Sequence, residues 1–202
     1  VFDDPAVVAA GGRLEKGGVL QDSCCSELTL WRVFCEQMLL EKLFQGSRLF
    51  DSYWVSRRLA AKGSGPHEVA QVMGACLMLR PGWRFDEDFF LYCEDTDLCH
   101  RLSQSGKILY VEVAFEHALG ASSSGNRGWA VAMYNRGKEL YFRKHHGAIT
   151  GFVCFWFNRH GALLRLLIAL LRLDLPKARM FGGVFLAPFA GPPLPADAFP
   201  RP

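Results

Sequence analysis

"EDTDLCHRLSQSGKILYVEVAFEH", residues 94 to 117, reads as a helix that hands over to a strand. Starting near Glu94, helical spacing puts Asp95 on one face with Leu98, Cys99 and Leu102, which is the apolar, inward side. Gly106 stands where a left-handed C-cap would end that helix. "KILYVEVAFEH" then carries the β-branched and aromatic residues of a strand.

Just upstream, "VAQVMGACLMLR", residues 69 to 80, is a nearly continuous apolar run closed by Arg-Pro-Gly, the pattern of a strand buried on both faces. Gly74 within it marks a place where backbone or ligand comes close. Strand, helix and strand of these lengths fit a crossover unit. The fold class expected is therefore α/β, a parallel or mixed sheet covered by helices.

Further out, "ELTLWRVFCEQMLLEKLF" (27 to 44) has apolar residues at helical spacing and predicts an amphipathic helix of four to five turns. Residues 45 to 68 show no period, and "AAKGSGPHE" reads as a loop. From 151 the composition shifts to "GFVCFWFNRHGALLRLLIALLRLDLPKARMFGG", in which Asn158, Arg159 and His160 interrupt the apolar run. The stretch after Gly161 is too short and too rich in arginine to read as a membrane span. Arg165, Arg172 and Arg179 recur every seven residues, and Pro176 should break or kink the helix before the third. Two readings stand level for residues 148 to 185: amphipathic helices on a membrane surface, or a docked core helix with a solvated arginine face. Residues 186 to 202 form a Pro-rich tail expected to be disordered.

The 202 residues are 50% hydrophobic, enough for one sizeable core, and a net charge of +3 suits a phosphate-bearing ligand or an anionic membrane. It is far from the basic footprint of a nucleic-acid binder, so no nucleic-acid partner is expected. Seven cysteines without a C-x-x-C pair indicate neither a disulfide framework nor a zinc ribbon and point to a reducing cytoplasm. No signal peptide is visible in "VFDDPAVVAAGGRLEKGG".

Among the carboxylates, Asp97 aligns with Glu94 and Arg101 and reads as half of an exposed i,i+4 pair of small energetic value. Asp95 is aimed inward. Burial raises its pKa and the helix start lowers it, leaving a carboxylate in a partly dry cleft, as a general base requires. The plain alternative is an N-cap. His117, past the end of the second strand and before the Gly/Ser loop "ALGASSSGNR", stands where ligands collect in open sheets and is a candidate metal ligand. A zinc site from Cys93, Cys99, His100 and His117 lacks the standard spacing.

"MGACLMLR" (73 to 80), "FDEDFFLYCEDTDLCHRLSQSGKILYVEVAFEHALGASS" (85 to 123) and "YNRGKELYFRKHHG" (134 to 147) together resemble the C-terminal half of glycosyltransferase family 2 enzymes of the rhamnosyltransferase-like group. "DDPAVVAAGGRLEKGGVLQDS" (3 to 23) is similar to the stretch that follows the nucleotide-binding half there. The resemblance implies the C-terminal portion of a Rossmann-like GT-A fold over residues 1 to 147. It also implies an inverting transfer of a sugar from a nucleoside-diphosphate donor to a glycan or polyprenyl-linked acceptor, with Mn2+ or Mg2+. The general base of the family falls on Asp95 and its metal-side histidine on His117. Asp86, Glu87 and Glu94 would shape the acceptor side. From charge alone, and not from the resemblance, Arg127 or Arg136 is expected to meet phosphate when the Ser-rich loop closes.

The turn before Phe85 is shorter than in the family and lacks its Gly-Gly, and the chain shows neither the nucleotide-binding half nor the D-x-D-type metal motif that family members carry upstream of this part. Asp3 and Asp4 precede Pro5 and read as a turn. This stretch alone is therefore expected to be inactive. Its expected place is the cytoplasmic face of a membrane, in cell-surface polysaccharide synthesis. A non-catalytic, membrane-associated interaction protein derived from such an enzyme is the second reading, and a metal-dependent hydrolase using Asp95 and His117 the third.

Overall fold

Strand β1, Val7–Lys16, is the axis of a mixed sheet, and its middle residues, Ala9 to Gly12, are small where neighbours press close. A Cβ added at Gly11 would sit 2.5 Å from Val72 Cβ, and one at Gly12 would sit 2.5 Å from the Phe115 ring. The computed structural model describes residues 1–63, 65–118 and 126–189. They divide into two units, each with its own packing.

The first unit comprises Val1–Leu28, Ser52–Asp88 and Glu94–Leu119. Gly17 and Gly18, both at positive φ, make the two-residue turn from β1 into β2, Val19–Leu20, as a type I′ hairpin demands. β3 (Cys24–Cys25) pairs antiparallel with β5 (Gln71–Val72) in a small separate sheet. β4 (His67–Glu68) lies antiparallel on β7 (Lys107–Glu116), and β7 runs parallel to β1 along its length. β6, Leu77–Leu79, lies antiparallel on the other edge of β1, opposite Ala9–Gly11. Helix α3, Ser56–Ala60, and helix α4, Glu94–Ser103, complete the unit. Leu98, Cys99 and Leu102 of α4 pack on Val8, Ala9, Ile108 and Tyr110 of the sheet, the inward face expected of this helix.

An α/β fold with a mixed sheet is thus present, but three local expectations are corrected. Residues 69–80 are not one buried strand: a 3-10 turn at Gly74–Cys76 separates β5 from β6, and β6 is half-exposed. The parallel neighbour of β7 is β1, so β6 and β7 flank the same strand and run in opposite directions. Gly106 is not in a left-handed conformation. A Cβ there would meet Ala6 O at 2.4 Å and Val8 Cγ1 at 2.6 Å, so contact rather than φ demands the glycine.

The second unit comprises Thr29–Asp51, Phe89–Cys93 and Gly120–Pro202, and its described residues are mainly helical. The single helix expected over 27–44 is two, α1 (Leu30–Gln37) and α2 (Leu40–Leu43), because Leu39 between them has φ 60°. Thr29 caps α1, its Oγ1 accepting from Arg32 N at 3.3 Å. α5 (Arg127–His146) and α6 (Ala148–Leu171) meet at Gly147, φ 91°. The helix is broken before Arg179, as expected: α6 ends at Leu171, and Pro176 lies in the first turn of a new helix, α7 (Leu175–Leu186), capped by Asp174.

Arg165 of α6 does not belong to a solvated face. Its Nη1 and Nη2 each donate at 2.9 Å, to Gln37 O and Glu36 O, so it caps the C-terminal end of α1. Asn158 and Arg159, the apparent interruptions of the apolar run, are buried too. Asn158 Nδ2 donates to Glu139 Oε1 at 2.8 Å, and Arg159 donates to Val184 O and Ala187 O. The Ser-rich loop at 119–125 and the tail from 190 onward lie outside the described residues.

Candidate acidic site at the start of helix α4

Helix α4 opens with Glu94, Asp95 and Asp97 in its first turn, where backbone N–H groups without intrahelical partners favour negative charge. Oδ1 of Asp95 accepts from Thr96 N at 2.8 Å, and Oδ2 accepts from Gly74 N at 3.0 Å. The second bond ties the helix start to the 3-10 turn between β5 and β6. Gln71 Nε2 donates to Thr96 Oγ1 at 3.0 Å and fixes the same corner from β5. The close approach expected at Gly74 is absent: a Cβ there would lie 3.6 Å from Asp95 Cβ, ordinary contact, and what Gly74 contributes is its N–H.

Burial pushes the Asp95 carboxyl above its ordinary pKa, and the N–H groups of Gly74 and Thr96 pull the other way. The buried thiols around it stay protonated. Burial and then the Asp95 charge hold Cys25 well above its usual value, and burial pushes Cys99 up to about 12. Glu94 is raised as well, first by burial and, with its own backbone N–H opposing, also by the neighbouring Asp95 charge. Its Oε2 is buried with no hydrogen-bond partner among the described residues. A buried acceptor of this kind calls for a donor, such as a ligand hydroxyl.

The third acid of the turn corrects its expectation. Asp97 is 1% exposed, not a surface residue, and its Oδ2 takes both Arg101 Nε at 2.9 Å and Arg101 Nη2 at 2.8 Å. Arg101 Nη2 also donates to Arg84 O at 2.9 Å, which ties the helix to the chain before Phe85. A pair with a buried member is costly to break from one side, unlike an exposed one.

His117 lies just beyond β7, its backbone N–H on Glu15 O at 2.8 Å. Gln21 Nε2 donates to His117 O at 3.0 Å, which leaves Gln21 Oε1 facing His117 Nδ1 at 3.0 Å. An amide oxygen only accepts, so this pairing places the ring proton on Nδ1 and leaves the Nε2 lone pair for a ligand. As a single metal donor the ring therefore fits. Among the described residues no group of three His, Cys, Asp or Glu side chains is arranged to hold a metal. Cys99, with its high pKa and its thiol directed at Val72 O, is not a thiolate ligand for zinc.

Asp86 Oδ1 accepts from Asp88 N at 3.0 Å in an exposed turn, and Glu87 is exposed beside it. Arg127 and Arg136 belong to the second unit, Arg127 exposed at the start of α5 and Arg136 buried within it. Tyr92 and Cys93, immediately before Glu94, both hold φ 65°, a conformation costing roughly 1–3 kcal/mol for each non-glycine residue. Sequence reasoning missed that strain, the orphaned Glu94 oxygen and the Gln21 clamp. The inward face of α4, which singled out Asp95, was the signal that pointed toward the corner. The chain matches no family model, no curated protein and no solved structure.

Proposed function

We propose that this chain forms the acceptor-side part of an inverting glycosyltransferase of family 2, rhamnosyltransferase-like, with Asp95 as its general base. The observation that carries the reading is the pair at the start of α4. Asp95 is fixed by two backbone N–H groups in a half-buried corner where burial raises its pKa, and Glu94 Oε2 beside it has no donor among the described residues. The order of motifs along residues 73 to 147 supplies the family.

In the transfer, an acceptor hydroxyl gives its proton to the Asp95 carboxylate while its oxygen bonds to the anomeric carbon of the donor. The bond from that carbon to the diphosphate breaks on the opposite face, so the configuration inverts and a nucleoside diphosphate leaves. A raised pKa strengthens Asp95 as the base, and desolvation leaves it less masked by water. Glu94 would orient the acceptor by accepting from a second hydroxyl. A divalent cation, Mn2+ or Mg2+, would neutralise charge on the departing diphosphate. His117 Nε2 would be one of its donors.

The test is release of nucleoside diphosphate from a panel of sugar donors, with glycan acceptors and Mn2+, by the protein expressed from its complete reading frame. Acceptor-stimulated release that Asp95→Asn removes supports the reading. Release that is unaffected by this substitution, or no release from any donor, contradicts it.

A further inference from the structure

Helix α6 turns one side into the second unit and leaves the other apolar. Cys154, Asn158, Ala162 and Ala169 are buried, whereas Ile149, Trp156, Leu163 and Leu170, each seven residues from the next, are exposed. The stripe runs into the turn "LLRLDL", residues 170–175, where Leu171 is 85% and Leu173 84% exposed. Leu173 is held at φ 55°, an unfavourable conformation for leucine, at the apex of that turn. Exposing several leucines together in this way marks a binding surface.

Charge identifies what covers it. From 127 to 189, Arg127, Arg143, Lys144, Arg172, Lys177 and Arg179 are exposed, against one partly exposed acid, Asp174, while Arg136, Lys138, Arg159 and Glu139 are buried. Arg172 and Arg179 are exposed beside the leucines, and Lys177 is exposed while paired with Asp174. A second copy would bring two such cationic surfaces together, and like charges oppose that association. Lipid headgroups of negative charge match both the arginines and the apolar tip. By length and composition α6 is also the helix among the described residues that could cross a bilayer. Its buried Asn158 and Arg159 are instead committed to α5 and α7, so the helix presents one face to a surface.

We propose that the exposed face of α6 and the 170–175 turn dock on an anionic bilayer surface, the leucines entering the headgroup boundary and Arg172 and Arg179 meeting phosphates. The inference is independent of the sugar-transfer reading, since it uses no residue of the acidic site.

The test is co-sedimentation of the full chain with vesicles of phosphatidylcholine alone and of phosphatidylcholine mixed equally with phosphatidylglycerol. Binding to the mixed vesicles, weakened by salt and lowered on the order of a hundredfold in Leu171→Asp/Leu173→Asp, is expected. Unchanged helical circular dichroism verifies that this variant is folded, and Arg172→Glu/Arg179→Glu tests the charge separately, with a loss on the order of tenfold. Three results overturn the proposal: no binding of the wild-type chain to mixed vesicles, equal binding by both variants, or a dimer dispersed by the leucine substitutions in a chain that ignores vesicles.

Discussion

The backbone N–H of Gly74 reaches Oδ2 of Asp95 at 3.0 Å, so the turn between β5 and β6 determines where the carboxylate points. A methyl at Gly74 would lie 3.6 Å from Asp95 Cβ, and Met73, at ψ 140°, has the extended conformation that precedes proline. Gly74→Pro therefore deletes the donor at the first position of a 3-10 turn, whereas Gly74→Ala retains it. We expect the proline variant to lose about 1.5–3 kcal/mol in urea unfolding and the alanine variant to stay near wild type. Equal stability of the two would show that the bond does not hold the corner.

Because burial raises the Asp95 pKa in the fold, ionising it opposes folding. That penalty is absent well below the ordinary carboxyl value of about 3.9, grows as pH rises through the interval up to the raised pKa, and is complete above it. Asp95→Asn carries no such penalty. The stability of the variant relative to wild type should therefore climb with pH across that interval. Parallel unfolding curves at acid and neutral pH would mean that Asp95 is not desolvated.

His117 and Gln21 form a second testable contact. A nitrogen-correlated NMR spectrum should show the neutral ring protonated at Nδ1, as the amide orientation requires. Gln21→Leu should release that preference and weaken Mn2+-dependent donor binding by about tenfold, with His117→Ala weaker still. A ring protonated at Nε2 would remove His117 as a metal donor.

Gly106 separates a steric demand from a conformational one. Asparagine suits a left-handed C-cap, so under that reading Gly106→Asn would be nearly silent. With Ala6 O and Val8 Cγ1 inside contact distance of any Cβ, Gly106→Asn and Gly106→Ala should both destabilise by roughly 1–3 kcal/mol. Thermal melts decide between the two.

These contacts also show which parts of the fold were legible. β7 was readable because "KILYVEVAFEH" carries β-branched and aromatic residues at every turn of the pattern, and α4 because its inward face is regular. β1, the longest partner of β7, escaped because "VVAAGG" reflects how closely Val72 and Phe115 approach it, a tertiary fact without local period. The break at Leu39 carried no glycine or proline to announce it. Asp97 looked exposed on a helical wheel because a wheel shows nothing of the tertiary packing that buries it. Asp95 was found from its face and position, whereas Gln21, far from His117 in sequence, left no signal at all.

The central claim is that Asp95 takes the acceptor proton. Its most direct measurement compares Asp95→Asn with wild type in the protein expressed from its complete reading frame, following sugar transfer together with calorimetric donor affinity. The account predicts transfer lowered by about 100-fold or more, with donor affinity unchanged, because the carboxylate acts on the acceptor alone. Transfer within a few-fold of wild type would contradict it and reduce Asp95 to the cap that ties helix α4 to Gly74.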